Sequence, residues 1–277
     1  MRIGIVGNGY VGQATALLKE KEVEVLIWDL NEDLRNINSF GELQGCDFVF
    51  VCVPTPMNED GSCYTKIVEN VVYDLIALRI KARDIIVRST VPVGTCERLG
   101  VSFMPEFLTE ANWEEDFKNN KNWIFGFDPP KWTDWEESDN TAFNFLKLAK
   151  LWSKEVEILT TKEAELTKNT RNAFLATKVS FFNEIEELCR KMGVSYENVR
   201  KGVVLDDRIG ASHTEVPGPD GKRGFGGTCF PKDIASLDYQ MNQHGVESYM
   251  VEGTKARNLQ VDRVEKDWED NKGRSVV

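Results

Sequence analysis

Gly7-Asn8-Gly9-Tyr10-Val11-Gly12 stands directly after Arg2-Ile3-Gly4-Ile5-Val6, and this junction decides the fold. The apolar run reads as a short buried strand, and residues 11–19 carry helical spacing. In such a turn the first glycine allows the tight bend and the second lets the backbone approach a pyrophosphate. The third lets helix and strand pack closely. The phosphates then sit on the helix N-terminus, where N–H groups and the helix dipole favour negative charge. A carboxylate for the adenosine ribose is expected roughly 20 residues further on, and Asp29 closes the second apolar run. Its charge repels a 2′-phosphate, so NAD is expected rather than NADP. Gly7, Asn8, Gly9, Tyr10, Val11, Gly12 and Asp29 are the first cofactor-binding candidates.

Outward from this turn, strand-like runs recur at 2–6, 23–28, 47–53, 84–88, 101–104, 123–127 and 156–159, with helical patterns at 11–19 and 67–78 between them. Alternation of this kind predicts an α/β fold with a Rossmann-type, doubly wound parallel sheet. Past residue 160 the pattern changes. Residues 162–192 hold helical periodicity without proline or glycine and stop at Gly193, and a second helix is expected over 195–203. A turn-rich loop, 210–227, contains Pro217-Gly218-Pro219-Asp220-Gly221, and a last helix is expected near Asp233. The expected domains are 1–160, binding NAD, and 161–277, a helical domain with one long central helix. The acidic stretch 132–140 reads as a surface turn.

The 34 basic and 45 acidic residues give a formal charge of −11, which argues against a nucleic-acid partner. No run of 18 apolar residues and no signal-peptide pattern occurs, so no membrane partner and a cytoplasmic location are expected. Cys46, Cys52, Cys63, Cys96, Cys189 and Cys229 form no CxxC pair, and His213 and His244 lie apart, so no metal site is expected. Trp113, Trp123, Trp132, Trp135 and Trp152 read as packing residues.

Four further motifs carry chemistry: Val53-Pro54-Thr55-Pro56, Arg88-Ser89-Thr90-Val91-Pro92-Val93-Gly94-Thr95, Pro105-Glu106-Phe107-Leu108-Thr109-Glu110 and Gly226-Gly227-Thr228-Cys229-Phe230-Pro231-Lys232-Asp233. The first three follow strand ends, where open α/β sheets bind ligands. Cys229 follows a flexible Gly-Gly and precedes a helix. The helix N-terminus and Lys232 both favour its thiolate. Lys168 and Asn172, at i and i+4, project from one helix face, a cation and an amide suited to an oxyanion. Glu106 and Glu110 supply carboxylates able to accept a proton from water.

With Ala164-Glu165-Leu166-Thr167-Lys168 and Asn172, this ordered set resembles the UDP-glucose/GDP-mannose dehydrogenase family along nearly the whole chain. The resemblance implies NAD-dependent four-electron oxidation of a nucleotide sugar, UDP-glucose being the first guess, through a thiohemiacetal and a thioester on Cys229. It implies that Lys168 and Asn172 stabilise oxyanions, that Asp233 assists proton movement at the thiol, and that Thr90 and Glu106 hold and activate water. Pro54, Thr55, Thr90, Glu110 and Lys232 join the cofactor set. Phe107, Leu108, Lys168, Asn172, Arg208, Phe225, Gly226 and Gly227 form the substrate set. It also implies a homodimer through the long helix, with Leu166, Phe174, Phe181, Ile185 and Leu188 as packing candidates and Arg208 reaching the neighbour's site.

Family members carry a further Rossmann-like domain that grips the nucleotide, and this chain reaches Val277 near where its first strand would begin, so a short form is expected. The stretch between Asp29 and Val53 is also short of a helix and a Glu-Pro-Gly-type loop. Lys222 and Arg223 either bind the diphosphate, since arginine suits phosphate geometry, or carry incidental charge on a mobile surface loop. Two other readings stand beside this one. They are a two-electron dehydrogenase of the β-hydroxyacid type, which needs no thiol nucleophile, and a non-catalytic nucleotide-binding remnant.

Overall fold

The computed structural model describes residues 1–128 and 140–277. The chain divides into two compact units, 1–55 with 65–168, and 56–64 with 169–277. The stretch 132–140, with Trp132 and Trp135, lies outside the described residues up to Asn140.

In the first unit, β1 (Arg2–Val6), β2 (Glu24–Trp28), β3 (Phe48–Val51), β4 (Ile85–Val87), β5 (Ser102–Phe103), β6 (Asn122–Gly126) and β7 (Glu155–Leu159) form one sheet in the order β2-β1-β3-β4-β5-β6-β7. The order reverses at β1, which leaves a crevice beyond the C-terminal ends of β1 and β3. The chain between β2 and β3 holds two short 3₁₀ turns, Glu32–Leu34 and Phe40–Leu43, and no helix or strand.

The period of two is legible in the packing. Ile3, Ile5, Phe48, Phe50 and Ile86 join one apolar cluster, whereas Val6, Val49, Val51, Ile85 and Val87 join the other. Both faces are covered, as a doubly wound sheet requires. Helices α1 (Tyr10–Ala16), α4 (Trp113–Asn119) and α5 (Asn140–Leu151) feed the first cluster through Ala14, Phe117, Phe145 and Leu148. Helix α2 (Lys66–Ala77) feeds the second through Val68, Val72 and Leu75, and α3 (Thr95–Leu99) adds Cys96. Fully burying each such valine, leucine or phenylalanine contributes roughly 1.5–3 kcal/mol.

The expectation of an all-parallel sheet is corrected at one place: β5 and β6 pair antiparallel, through Phe103 and Gly126. β5 is two residues long and meets β6 at a single pair, too short a stretch for its direction to be read from the sequence pattern. The other pairs are parallel.

Helix α6 runs Thr161–Met192 and ends at Gly193, whose φ of +70° suits a left-handed C-terminal stop. The units part at Lys168/Asn169, within this helix, and not at residue 160. The reason is local: Ala164 packs in the sheet's second cluster, and Glu165 bonds backbone in the α3 region. The second unit continues with α7 (Tyr196–Val203), α8 (Phe230–Gln243) and α9 (Tyr249–Arg257), then a π-helical turn, Asn258–Asp262. Its core joins Ala173, Ala176, Phe225, Ile234, Leu237 and Val251. The 56–64 segment folds back with this unit. Met57 bridges to Cys63 and to Val276, and a Cβ on Gly61 would lie 3.7 Å from the Ala235 Cβ.

Candidate active site

The glycine turn behaves as its spacing predicts. Gly7 takes a φ of +92°, and a Cβ there would lie 2.7 Å from the Cys52 carbonyl oxygen. A Cβ on Gly12 would collide with the Gly7 carbonyl oxygen, whereas a Cβ on Gly9 would meet nothing within 4 Å. Gly9 occupies the N-cap position of α1. Asp29 is held by this loop: one carboxylate oxygen accepts the Asn8 N–H at 2.7 Å, the other the Asn31 N–H at 2.9 Å. A carboxylate has further lone pairs for ribose hydroxyls. Beside it, the Arg35 guanidinium lies 4.7 Å from the Trp28 ring centroid.

At the ends of β3 and β4, Pro54 is exposed and Thr55 buried, and Thr90 is half-buried. The Ser89 hydroxyl donates to the Val53 carbonyl at 2.6 Å and ties the two loops together. Glu165 fastens the second loop from below. Its carboxylate accepts the Gly94 N–H at 2.5 Å and the Cys96 N–H at 2.8 Å, at the start of α3. Burial pushes its pKa up to about 7, against the pull of those hydrogen bonds. Sequence reasoning quoted Glu165 without giving it a role. The signal was its spacing: Glu165, Lys168 and Asn172 form a buried polar stripe on one helix.

Glu106 and Lys168 form a buried ion pair at 2.6 Å, with side chains 4% and 3% exposed. The ammonium also donates to the Glu106 carbonyl at 2.7 Å, and the second carboxylate oxygen accepts the Leu108 N–H at 2.8 Å. Lys168 stands 5.6 Å from the Phe107 ring centroid. Glu110 is exposed.

In the second unit, Cys229 is half-buried at the N-cap position of α8, with Pro231 in the first turn. Proline is preorganised for that place, so the helix begins three residues before the expected start at Asp233. Asp233 is buried and accepts from Asn172 and from Lys232, each at 2.6 Å. Burial works against the charge on Lys232. The Asp233 carboxylate and the Cys229 and Cys63 thiols outweigh it and hold the lysine pKa above its ordinary value. A cation so placed favours thiolate over thiol. Cys63 therefore stands in the same local field.

Three expectations change. Lys222 pairs with Asp267 at 2.8 Å and Glu265 at 3.4 Å, and Arg223 pairs with Glu186 and Asp262. Both cations have internal carboxylate partners, so neither is the bare charge that the diphosphate expectation assumed. Phe225 is 5% exposed within the second unit's core, edge-on to Phe230, and serves packing instead of contact with a sugar. Gly226 is packed closely and is not a flexible hinge. Gly227 is exposed, and so is Arg208, 90% exposed and paired with Asp206.

Burial pushes the thiols of Cys46 and Cys52 up to about 11, and that of Cys96 well above its ordinary value, as suits packing cysteines. Among the described residues no group of His, Cys, Asp and Glu could hold a metal, and no helix is long and apolar enough to cross a membrane.

The doubly wound sheet, its glycine turn and the carboxylate beside it define a dinucleotide-binding domain of the dehydrogenase kind. The model of the UDP-glucose/GDP-mannose dehydrogenase family's NAD binding domain matches residues 33–138, and that of its central domain matches residues 162–260. The chain belongs to this family, and its cofactor is NAD. It is 32% identical to a UDP-glucose 6-dehydrogenase of Pseudomonas aeruginosa, over 93% of this chain and 65% of that protein. It is 34% identical to one from Rickettsia bellii, over 85% of this chain and 56% of that protein. The structure of a UDP-glucose dehydrogenase from Pyrobaculum islandicum superposes with a TM-score of 0.79 at 26% identity, over 93% of this chain and 67% of that one. The chain thus spans just over half to about two thirds of the length of these relatives.

Proposed function

We propose that this chain carries out the NAD-dependent, four-electron oxidation of a nucleotide sugar to the uronic acid, with UDP-glucose the first substrate to try. The observation that carries this reading is Cys229, a half-buried thiol at a helix N-terminus near Lys232 and Asp233. A two-electron dehydrogenase has no use for a nucleophile. Capture of an aldehyde between two oxidations requires one.

The close-packed Gly7 and Gly12, the open face of Gly9 and the oriented Asp29 fit a dinucleotide. These residues, with Asn8, Tyr10 and Val11, would hold NAD, and Pro54, Thr55, Thr90, Glu110 and Lys232 would add contacts. When bound, NAD supplies the hydride acceptor for both oxidations. The Cys229 thiolate attacks the aldehyde carbon to give a thiohemiacetal. Hydride loss turns this into a thioester, and water releases the acid and restores the thiol. Lys168 and Asn172 donate to the oxyanions, and Asp233 moves the proton at the thiol. Once Lys168 turns to the oxyanion, Glu106 is left to take a proton from the water that Thr90 orients. Phe107, Leu108, Arg208, Gly226 and Gly227 contact the sugar nucleotide.

The same reading makes the protein a cytoplasmic homodimer. Phe174, Phe181 and Leu188 follow one another at seven-residue spacing on α6, each more than half exposed, with Leu166 eight residues ahead at 46%. A second copy of this helix would cover them, and Arg208, 90% exposed, would leave its Asp206 pair to reach a partner's site.

NADH formed per sugar, over a panel of UDP- and GDP-sugars, tests the reaction. Two NADH per molecule of one sugar, abolished by Cys229→Ser, are expected. One NADH per sugar, unchanged in the variant, would move the protein to the simple dehydrogenases.

A further inference from the structure

The loop that leads into Cys229 is gripped residue by residue by the segment after α9. Lys222 pairs with Asp267, and Arg223 with Asp262. A Cβ on Gly224, whose φ is +65°, would collide with the Asn258 side-chain oxygen. Phe225 is held by both ends of the Asn258 amide: its N–H donates to Oδ1 at 2.8 Å, and its carbonyl accepts from Nδ2 at 2.9 Å. Gly226 comes next, and there the contact is a distant side chain. A Cβ on Gly226 would lie 2.5 Å from Arg263 Nη2, 2.9 Å from its Cζ and 2.8 Å from Asp267 Oδ1.

Arg263 is in turn fixed on every side. Its side chain is 3% exposed. Nε donates to Asp267 at 3.1 Å, Nη1 to the Arg223 carbonyl at 3.0 Å, and Nη2 to Asp267 and Asp220. A planar guanidinium held at both edges lies against the glycine. A lysine ammonium has neither the plane nor the fork. Burying such a cation is costly unless it is fully paired, and here the pairing partners come from the loop itself and from the adjoining turn.

We propose that Arg263 is a positioning residue for the Cys229 nucleophile, acting through Gly226. The guanidinium is the floor on which Gly226 rests, and through it fixes where Thr228 and Cys229 enter α8. Asn258 sets the register one residue earlier. The requirement for glycine at 226 is thus one of close approach. This role rests on the reading of Cys229 as a nucleophile, but it is measurable without any sugar.

The test is the rate of alkylation of Cys229 by iodoacetamide at neutral pH, in the full chain, with Cys229→Ser subtracting the other thiols. Arg263→Gln should slow it about tenfold, since a thiol moved away from Lys232 and the α8 N-terminus loses about a unit of pKa depression and with it thiolate. Gly226→Ala presses the same contact from the other side without touching an ion pair. It should give the same loss, and the double variant should lose no more than either single one. Arg263→Lys should resemble Arg263→Gln, because planarity is what fits. Additive losses, or a wild-type rate in Arg263→Lys, would overturn the proposal. If Arg263→Gln fails to fold, a wild-type rate in a folded Gly226→Ala overturns it equally. Absence of sugar turnover with this alkylation pattern intact would count against the proposed reaction and leave the positioning role standing.

Discussion

Substituting alanine at two glycines of one turn separates packing from ligand contact. At Gly12 the new methyl would collide with the Gly7 carbonyl oxygen, and that backbone is itself wedged against Cys52. Overpacking against backbone costs about 1–3 kcal/mol or more, and the intrinsic helix gain of alanine over glycine, about 1 kcal/mol, offsets it only in part. For a unit of this size each kcal/mol shifts Tm by roughly 2–4 °C. Gly12→Ala should therefore melt several degrees lower. Gly9 differs in kind. Its φ of −69° and ψ of −171° suit alanine, and the methyl meets nothing, so Gly9→Ala should melt within about 2 °C of wild type. If the pyrophosphate lies over Gly9, the same methyl stands in its place, and NAD affinity should fall at least about tenfold, or 1.4 kcal/mol. Thermal melts with NAD titrations by calorimetry read both quantities. Unchanged NAD affinity in Gly9→Ala, or an unchanged melt in Gly12→Ala, would refute the reasoning.

Glu165 carries a pH signature. Its pKa is raised to about 7 in the fold, so the native state holds this proton more tightly than the unfolded chain. Its contribution is complete below about pH 4.5 and is lost as pH rises through about 7, a change on the order of 3 kcal/mol. The difference in unfolding free energy between wild type and Glu165→Gln should drift by that amount from pH 5 to 8, and a flat difference would contradict the assignment. Lys168→Met leaves Glu106 buried without its cation and should cost about 3–5 kcal/mol in denaturant unfolding. Adding Glu106→Gln should restore most of that loss, and additive losses would show that the two do not act as a pair. In the proposed dimer through α6, Phe181→Glu should give a monomeric mass by light scattering where wild type gives a dimeric one, and equal masses would remove α6 from that role.

The parts of this fold that are local in sequence were open to reading. β1 and its glycine turn follow one another within a dozen residues, and α6 holds its period over 32 residues, so both could be read without tertiary knowledge. The antiparallel pairing of β5 and β6 could not, because β5 is two residues long and meets its partner at a single pair. The 56–64 segment gave no hint of joining the second unit, since Met57 finds its partner at Val276. In the site, Cys229 and its neighbours were legible as one motif. The partners of Lys222 and Arg223 lie some forty residues on, at Asp262 and Asp267. From sequence alone these cations looked available for phosphate. Gly226 looked flexible for the same reason: its constraint is a distant arginine.

The central claim is that Cys229 carries the substrate covalently between two oxidations. Acid-quenching the full chain during turnover of NAD and UDP-glucose, followed by peptide mass spectrometry, tests this most directly. The account predicts an adduct of the oxidised sugar nucleotide on the peptide containing Cys229, absent without NAD and increased in Glu106→Gln, where hydrolysis is slowed. Turnover that yields acid with no adduct on Cys229 at any time point, and that survives Cys229→Ser, would contradict it.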